Sequence, residues 1–71
     1  MANAPAAASA LDVLEPLSRH AEPLPAASIA RDLALPRSSV YHLLAVLCAR
    51  GYVTHFAEER RYGLGAAAYE L

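Results

Sequence analysis

Seventy-one residues make one small domain and exclude a barrel enzyme or a two-domain nucleotide-binding fold. Hydrophobic residues reach 56%, but 17 of them are alanine, so the larger apolar side chains support a core worth only about 3–5 kcal/mol. The net charge is −1, so any polyanion must be met by local rather than global positive charge.

The single cysteine, Cys48, excludes an intrachain disulfide and a thiolate zinc cluster, and it fits a reducing cytoplasm. The first ten residues carry no Lys or Arg and no long apolar run, so no secretory signal is expected. No stretch approaches the roughly 18 apolar residues of a membrane span. All six basic residues are arginine. Residues 1–30 sum to −2 and residues 31–61 to +2, and between Pro36 and Phe56 there is no acid at all.

Residues 1–8, rich in Ala and with a single Pro, read as a disordered arm. Ser9 to His20 reads as a first helix, capped by Ser9, with Leu11, Leu14, Leu17 and Ser18 on one face and Ala10 and Val13 beside it. Pro16 predicts a kink or a late start, because an internal proline forfeits a hydrogen bond. Glu22-Pro23-Leu24-Pro25 reads as a rigid loop. A second helix is expected from Pro25 to Ala34, with Pro25 at its first position and Ile29 and Leu33 facing inward.

A third helix is expected from Pro36 to Arg50, stopped by Gly51. At about 100° per residue, Leu43, Leu44 and Leu47 fall within roughly 60° of Val40 and form a buried stripe. The opposite face holds Ser38, His42, Ala45 and Ala49, flanked by Tyr41. It is polar near its start and small near its end, as a helix lying in the major groove requires. An ordinary solvated helix face has the same look. Tyr52–Phe56 and Arg61–Leu64 then read as the strands of a hairpin around Ala57-Glu58-Glu59-Arg60, with Tyr52 and Tyr62 paired across it. Ala66 to Leu71 begins another helix.

The expected fold is therefore mainly α with a small β-hairpin: a three-helix winged helix-turn-helix over residues 9–65. Its helix-turn-helix lies at about 26–45 and its wing at about 52–64. Ala30 supplies the small residue where the two helices cross. Ala34 occupies the turn position that often takes glycine for its positive φ, at a cost of roughly 1–2 kcal/mol.

From Ser9 to Leu71 the sequence resembles the N-terminal winged-helix domain of IclR-type bacterial transcriptional regulators. The resemblance is carried by Ala10-Leu11-Asp12-Val13-Leu14, by Ile29-Ala30-Arg31-Asp32-Leu33 and by Leu35-Pro36-Arg37-Ser38-Ser39-Val40-Tyr41-His42-Leu43-Leu44. Leu47, Gly51-Tyr52-Val53 and Tyr62-Gly63-Leu64-Gly65 complete it. It implies operator binding by a dimer, with the third helix in the major groove and half-sites about 34 Å apart. It also implies a larger C-terminal domain for a small effector, to which residues 66–71 would lead as a linker helix. Three positions depart from the family's habit. His42 stands where a second basic residue is common, Arg60 where the wing turn has glycine, and Pro25 where the second helix starts with Ser or Thr.

The candidate DNA-contacting residues are Arg37, Ser38, Ser39, Tyr41 and His42 in the third helix and Arg60 and Arg61 in the wing. Arg37 suits phosphate or a guanine edge, and Ser38 and Ser39 suit phosphate beside free helix N–H groups. Tyr41 has packing on the domain flank as its alternative, and a solvated turn is the alternative for Arg60 and Arg61 beside Glu58 and Glu59. No metal, cofactor or catalytic role is expected. Ser38, Ser39 and His42 lie near one another, but no carboxylate or oxyanion arrangement accompanies them. Cys48 reads as an inert core thiol. The rival reading for the whole chain is a winged helix that serves as a protein-interaction or dimer-assembly module, motivated by the −1 net charge.

Overall fold

A computed structural model describes residues 4–71. The elements run α1 (Pro5–Arg19), α2 (Ala26–Leu33), α3 (Arg37–Ala49), β1 (Val53–Phe56), β2 (Arg61–Leu64) and α4 (Ala66–Tyr69). The architecture is mostly helical with one antiparallel two-stranded hairpin, the winged helix expected above.

Helix α1 starts four residues earlier than Ser9. Pro5 takes the first helical turn, where its missing N–H costs nothing, and the alanines after it are strong helix formers. Residues 5–8 are thus helical rather than part of an arm, and residues 1–3 lie outside the described residues. Ser9 is an interior residue and caps nothing. The helix also runs through Pro16, so neither a late start nor a break occurs there. Pro16 lies in the last turn with its ring buried. Its carbonyl accepts from the His20 backbone N–H at 3.2 Å and from His20 Nδ1 at 2.8 Å, which closes the helix end.

The buried face of α1 is also rotated from the one expected. Val13, Pro16 and Leu17 are buried, while Leu11 is 59% exposed and Ser18 is exposed with its hydroxyl donating to the Glu15 carbonyl at 2.7 Å. Ala10, Val13, Leu14 and Leu17 carry the actual spacing of i, i+3, i+4, i+7. Two overlapping apolar stripes competed, and the less conspicuous one, built on Val13, faces the core.

Helix α2 begins after Pro25, not at it, and Ser28 donates from both its N–H (3.1 Å) and its hydroxyl (3.0 Å) to the Pro25 carbonyl. Ala26, Ile29 and Ala30 are buried. Ala34 closes the helix in the left-handed region at φ 55°, as its place in the turn required. Helix α3 buries Val40, Leu44 and Leu47. The most deeply buried side chains, Val13, Ile29, Val40 and Leu44, come from α1, α2 and α3 and form the centre of the core. Among the described residues the core contains no buried polar side chain.

In the hairpin Val53 pairs with Leu64, Thr54 with Gly63, His55 with Tyr62 and Phe56 with Arg61. Tyr62 therefore faces His55 and not Tyr52. The two rings stack at 4.4 Å between centroids and 9° between planes. Tyr52 precedes β1, where its N–H bonds to the Leu47 carbonyl at 2.9 Å and its carbonyl accepts from Gly65 at 2.8 Å. The Glu22–Pro25 loop is also more than a connector. Leu24 and Tyr62 exchange backbone hydrogen bonds of 2.8 and 2.7 Å, so the loop adds a one-residue rung to the wing.

Candidate nucleic-acid interface

The face of α3 opposite the core is open to solvent. Ser38, Tyr41, His42, Ala45, Val46 and Ala49 are exposed, with Tyr41 at 51% and Val46 at 59%, and Ser39 is half-buried. The helix places them by its period alone, since burying Val40, Leu44 and Leu47 turns these residues outward.

The start of α3 has polar capacity to spare. Pro36 precedes it and has no side chain that can cap, so no side-chain hydrogen bond satisfies the first turn. The Pro36 carbonyl accepts from Ser39 at 3.1 Å and Val40 at 3.2 Å. The N–H groups of Arg37 and Ser38 have no intrahelical acceptor. Together with the helix dipole and the exposed Arg37 guanidinium, they make the helix start locally positive. The nearest acid toward the N-terminus, Asp32, is 3.7 Å from Arg31 Nε, the one ion pair among the described residues.

The wing arginines differ from each other. Arg60 sits at the tip with φ 55°, the conformation that favours glycine; its backbone N–H donates to the Ala57 carbonyl at 3.2 Å, and its side chain enters no hydrogen bond or ion pair among the described residues. Arg61 turns back toward the loop, donating from Nη1 to the Pro23 carbonyl at 3.2 Å beside Glu22 and Glu59. Its guanidinium is thus partly committed within the fold.

The Tyr62 phenol is pushed above its ordinary value first by burial and then by the neighbouring Tyr41 and Cys48 groups. Burial likewise pushes the Cys48 thiol up, which favours its protonated form. Among the described residues no three His, Cys, Asp or Glu side chains converge on a metal-sized site. No helix there is long and apolar enough to cross a membrane.

Of the residues expected from sequence, Ser38, Tyr41 and His42 share this face, while Arg37 is exposed at the helix start, about 60° round from Val40 at the edge of the buried stripe. Val46 was not among those expected. The helical angle alone was enough to find it: Val46 falls about 240° round from Val40, well off the buried stripe.

A winged helix-turn-helix with an open, acid-free third helix defines a DNA-binding domain of the transcriptional-regulator class. Residues 6–57 match the family model of the IclR helix-turn-helix domain, and the chain belongs to that family. Similar solved structures agree. An IclR transcriptional regulator from Alicyclobacillus acidocaldarius superposes with a TM-score of 0.91 at 28% identity, over 97% of this chain and 28% of that one. HmgR of Pseudomonas aeruginosa gives 0.84 at 25% identity, over 94% and 28%. The Agrobacterium tumefaciens repressor BlcR gives 0.83 at 28% identity, over 96% and 27%. The present chain spans a little over a quarter of the length of these structures. No curated protein sequence matches it. Family and fold are those of a regulator's DNA-binding domain rather than of an enzyme.

Proposed function

We propose that this chain binds operator DNA sequence-specifically, with α3 in the major groove and the wing tip against the flanking backbone. The observation that carries the reading is the start of α3: two free backbone N–H groups, Arg37 and two serines on a face without acids. Arg37, Ser38 and Ser39 would hold phosphate or a guanine edge, and Tyr41 and His42 would approach base edges one turn further on. Arg60 and Arg61 would meet phosphate or the minor groove, with Arg60 the more available.

Two copies would act together on half-sites about one helical turn apart. A shallow apolar recess between Leu11, Leu14, Leu47, Tyr52 and Leu71 supports burial of this side against a second copy or a further domain. By likeness to the longer regulators, α4 would lead to a domain that binds a small effector, and the protein would work in the cytoplasm.

Fluorescence anisotropy of duplexes from the upstream region of its own gene, at low salt, tests the reading. Binding should weaken steeply with salt, and Arg37→Ala should weaken it and reduce the salt slope by about one. An unchanged slope and affinity would remove Arg37 from the contact. A flat titration with a fused dimer would instead favour the interaction-module reading.

A further inference from the structure

We propose that Val46 is a specificity residue that recognises the methyl group of a thymine in the major groove. The inference rests on the reading of α3 as the groove helix. Val46 is a large apolar side chain that the fold itself does not use: it is 59% exposed and absent from the core, while Val40, Leu44 and Leu47 beside it are buried. It lies one turn beyond His42 and two turns beyond Ser38 on the same open face. A major groove about 12 Å wide admits a helix about 10–12 Å in diameter, and Ser38 to Val46 spans about 12 Å of its axis at 1.5 Å per residue.

Its neighbours leave room for the approach. Ala45 and Ala49 are exposed and small, so the helix backbone can come close to the base edges at this end. A β-branched side chain in a helix is held in one dominant χ1 rotamer, so the two methyl groups of Val46 point in a fixed direction. The bulkiest apolar group that the major groove offers to such a side chain is the C5-methyl of thymine. Polar residues at the start of the face and one stiff apolar residue further along thus divide the reading between hydrogen bonding and shape. The positive charge that brings a polyanion to this face comes from Arg37 and Arg50, with no acid between Pro36 and Phe56.

The test uses the full chain and a library of random duplexes selected at low salt. In the enriched duplex each thymine is replaced in turn by deoxyuridine, which removes the methyl and leaves the hydrogen-bonding edge intact. At one or two adjacent positions the wild-type chain should lose affinity about three- to fivefold, the worth of one buried methyl. Val46→Ala, a substitution favourable to an exposed helix position, should bind about as weakly to both duplexes and no longer distinguish them. Enrichment without any uridine-sensitive position, or the same sensitivity in Val46→Ala, would overturn the assignment while leaving DNA binding standing. A Val46→Ala chain that changes association state but keeps the discrimination would overturn it too, in favour of a protein contact. No enrichment at all would sink the DNA reading and this inference with it.

Discussion

Helix α2 and helix α3 end with the same closure built around different residues. After α2, Leu35 N–H bonds to the Ala30 carbonyl at 3.0 Å and Ala34 N–H to Arg31 at 3.2 Å. After α3, Tyr52 N–H bonds to Leu47 at 2.9 Å and Gly51 N–H to Cys48 at 3.0 Å. Both pairs satisfy orphan carbonyls in the pattern that needs one left-handed residue. One turn meets that need with Gly51 at φ 82°, the other with Ala34 at φ 55°. The two turns differ in their surroundings, not in the backbone strain that a side chain would bear. The Ala34 methyl is exposed, so alanine bears only the intrinsic backbone cost there. Gly51 lies against the crossing of α3, the wing and α4. Its carbonyl accepts from Ala67 at 3.1 Å, and its backbone presses on Gly65. The turn that aims the groove helix is thus set by burial of Leu33, Leu35 and Ile29 around it, with no glycine required.

The sharpest break of this comparison is Gly65→Ala. A Cβ there would stand 2.2 Å from the Gly51 carbonyl oxygen, which is backbone and cannot move aside cheaply. Overpacking of this kind costs about 3 kcal/mol or more. With so small a core, urea titration should find most of the chain unfolded near room temperature. Gly51→Ala comes next. Its new Cβ would meet only Ala67 Cβ at 3.5 Å, an ordinary contact, so the loss should be the backbone strain alone, about 1–2 kcal/mol.

Ala34→Gly should act in the opposite direction, raising the unfolding free energy by up to about 1 kcal/mol after the extra chain entropy of glycine is subtracted, read as a higher urea midpoint. A neutral or destabilising result would show that the two turns are not equivalent. Arg60→Gly sharpens the same point at the wing, the other non-glycine left-handed residue. It should gain a few tenths of a kcal/mol in stability at the hairpin tip while DNA affinity falls, because it relieves strain and removes a cation together. Thermal melts and anisotropy on the same sample separate the two effects.

How much was legible from the chain depends on which forces are local. Helix α3 was readable because Pro36, a single apolar stripe and Gly51 agree on its start, its buried face and its end. The outward position of Ser38, Tyr41 and His42 follows from that stripe with no further information. Helix α1 was harder. Leu11, Leu14 and Ser18 make one stripe and Ala10, Val13, Leu14 and Leu17 another, and both fit a period of 3.6 residues. Only the surface offered by α2, α3 and β2 selects between them. The loop at Leu24 and the strand at Tyr62 are far apart in sequence, and no local propensity announces their two hydrogen bonds. The tie between Arg61 and the Pro23 carbonyl follows from that pairing, which is why two adjacent arginines that look alike in sequence have different freedom.

By itself the sequence determined a small winged helix with its positive charge gathered around one open helix, because period, proline, glycine and charge act within a few residues of where they stand. The tertiary structure decided the rotation of α1, the partner of Tyr62, the bridge from Leu24 to the wing and the direction of Arg61. Each of these is a choice between locally equivalent options. Such choices are settled by the apolar area and backbone hydrogen bonds that distant segments can offer one another.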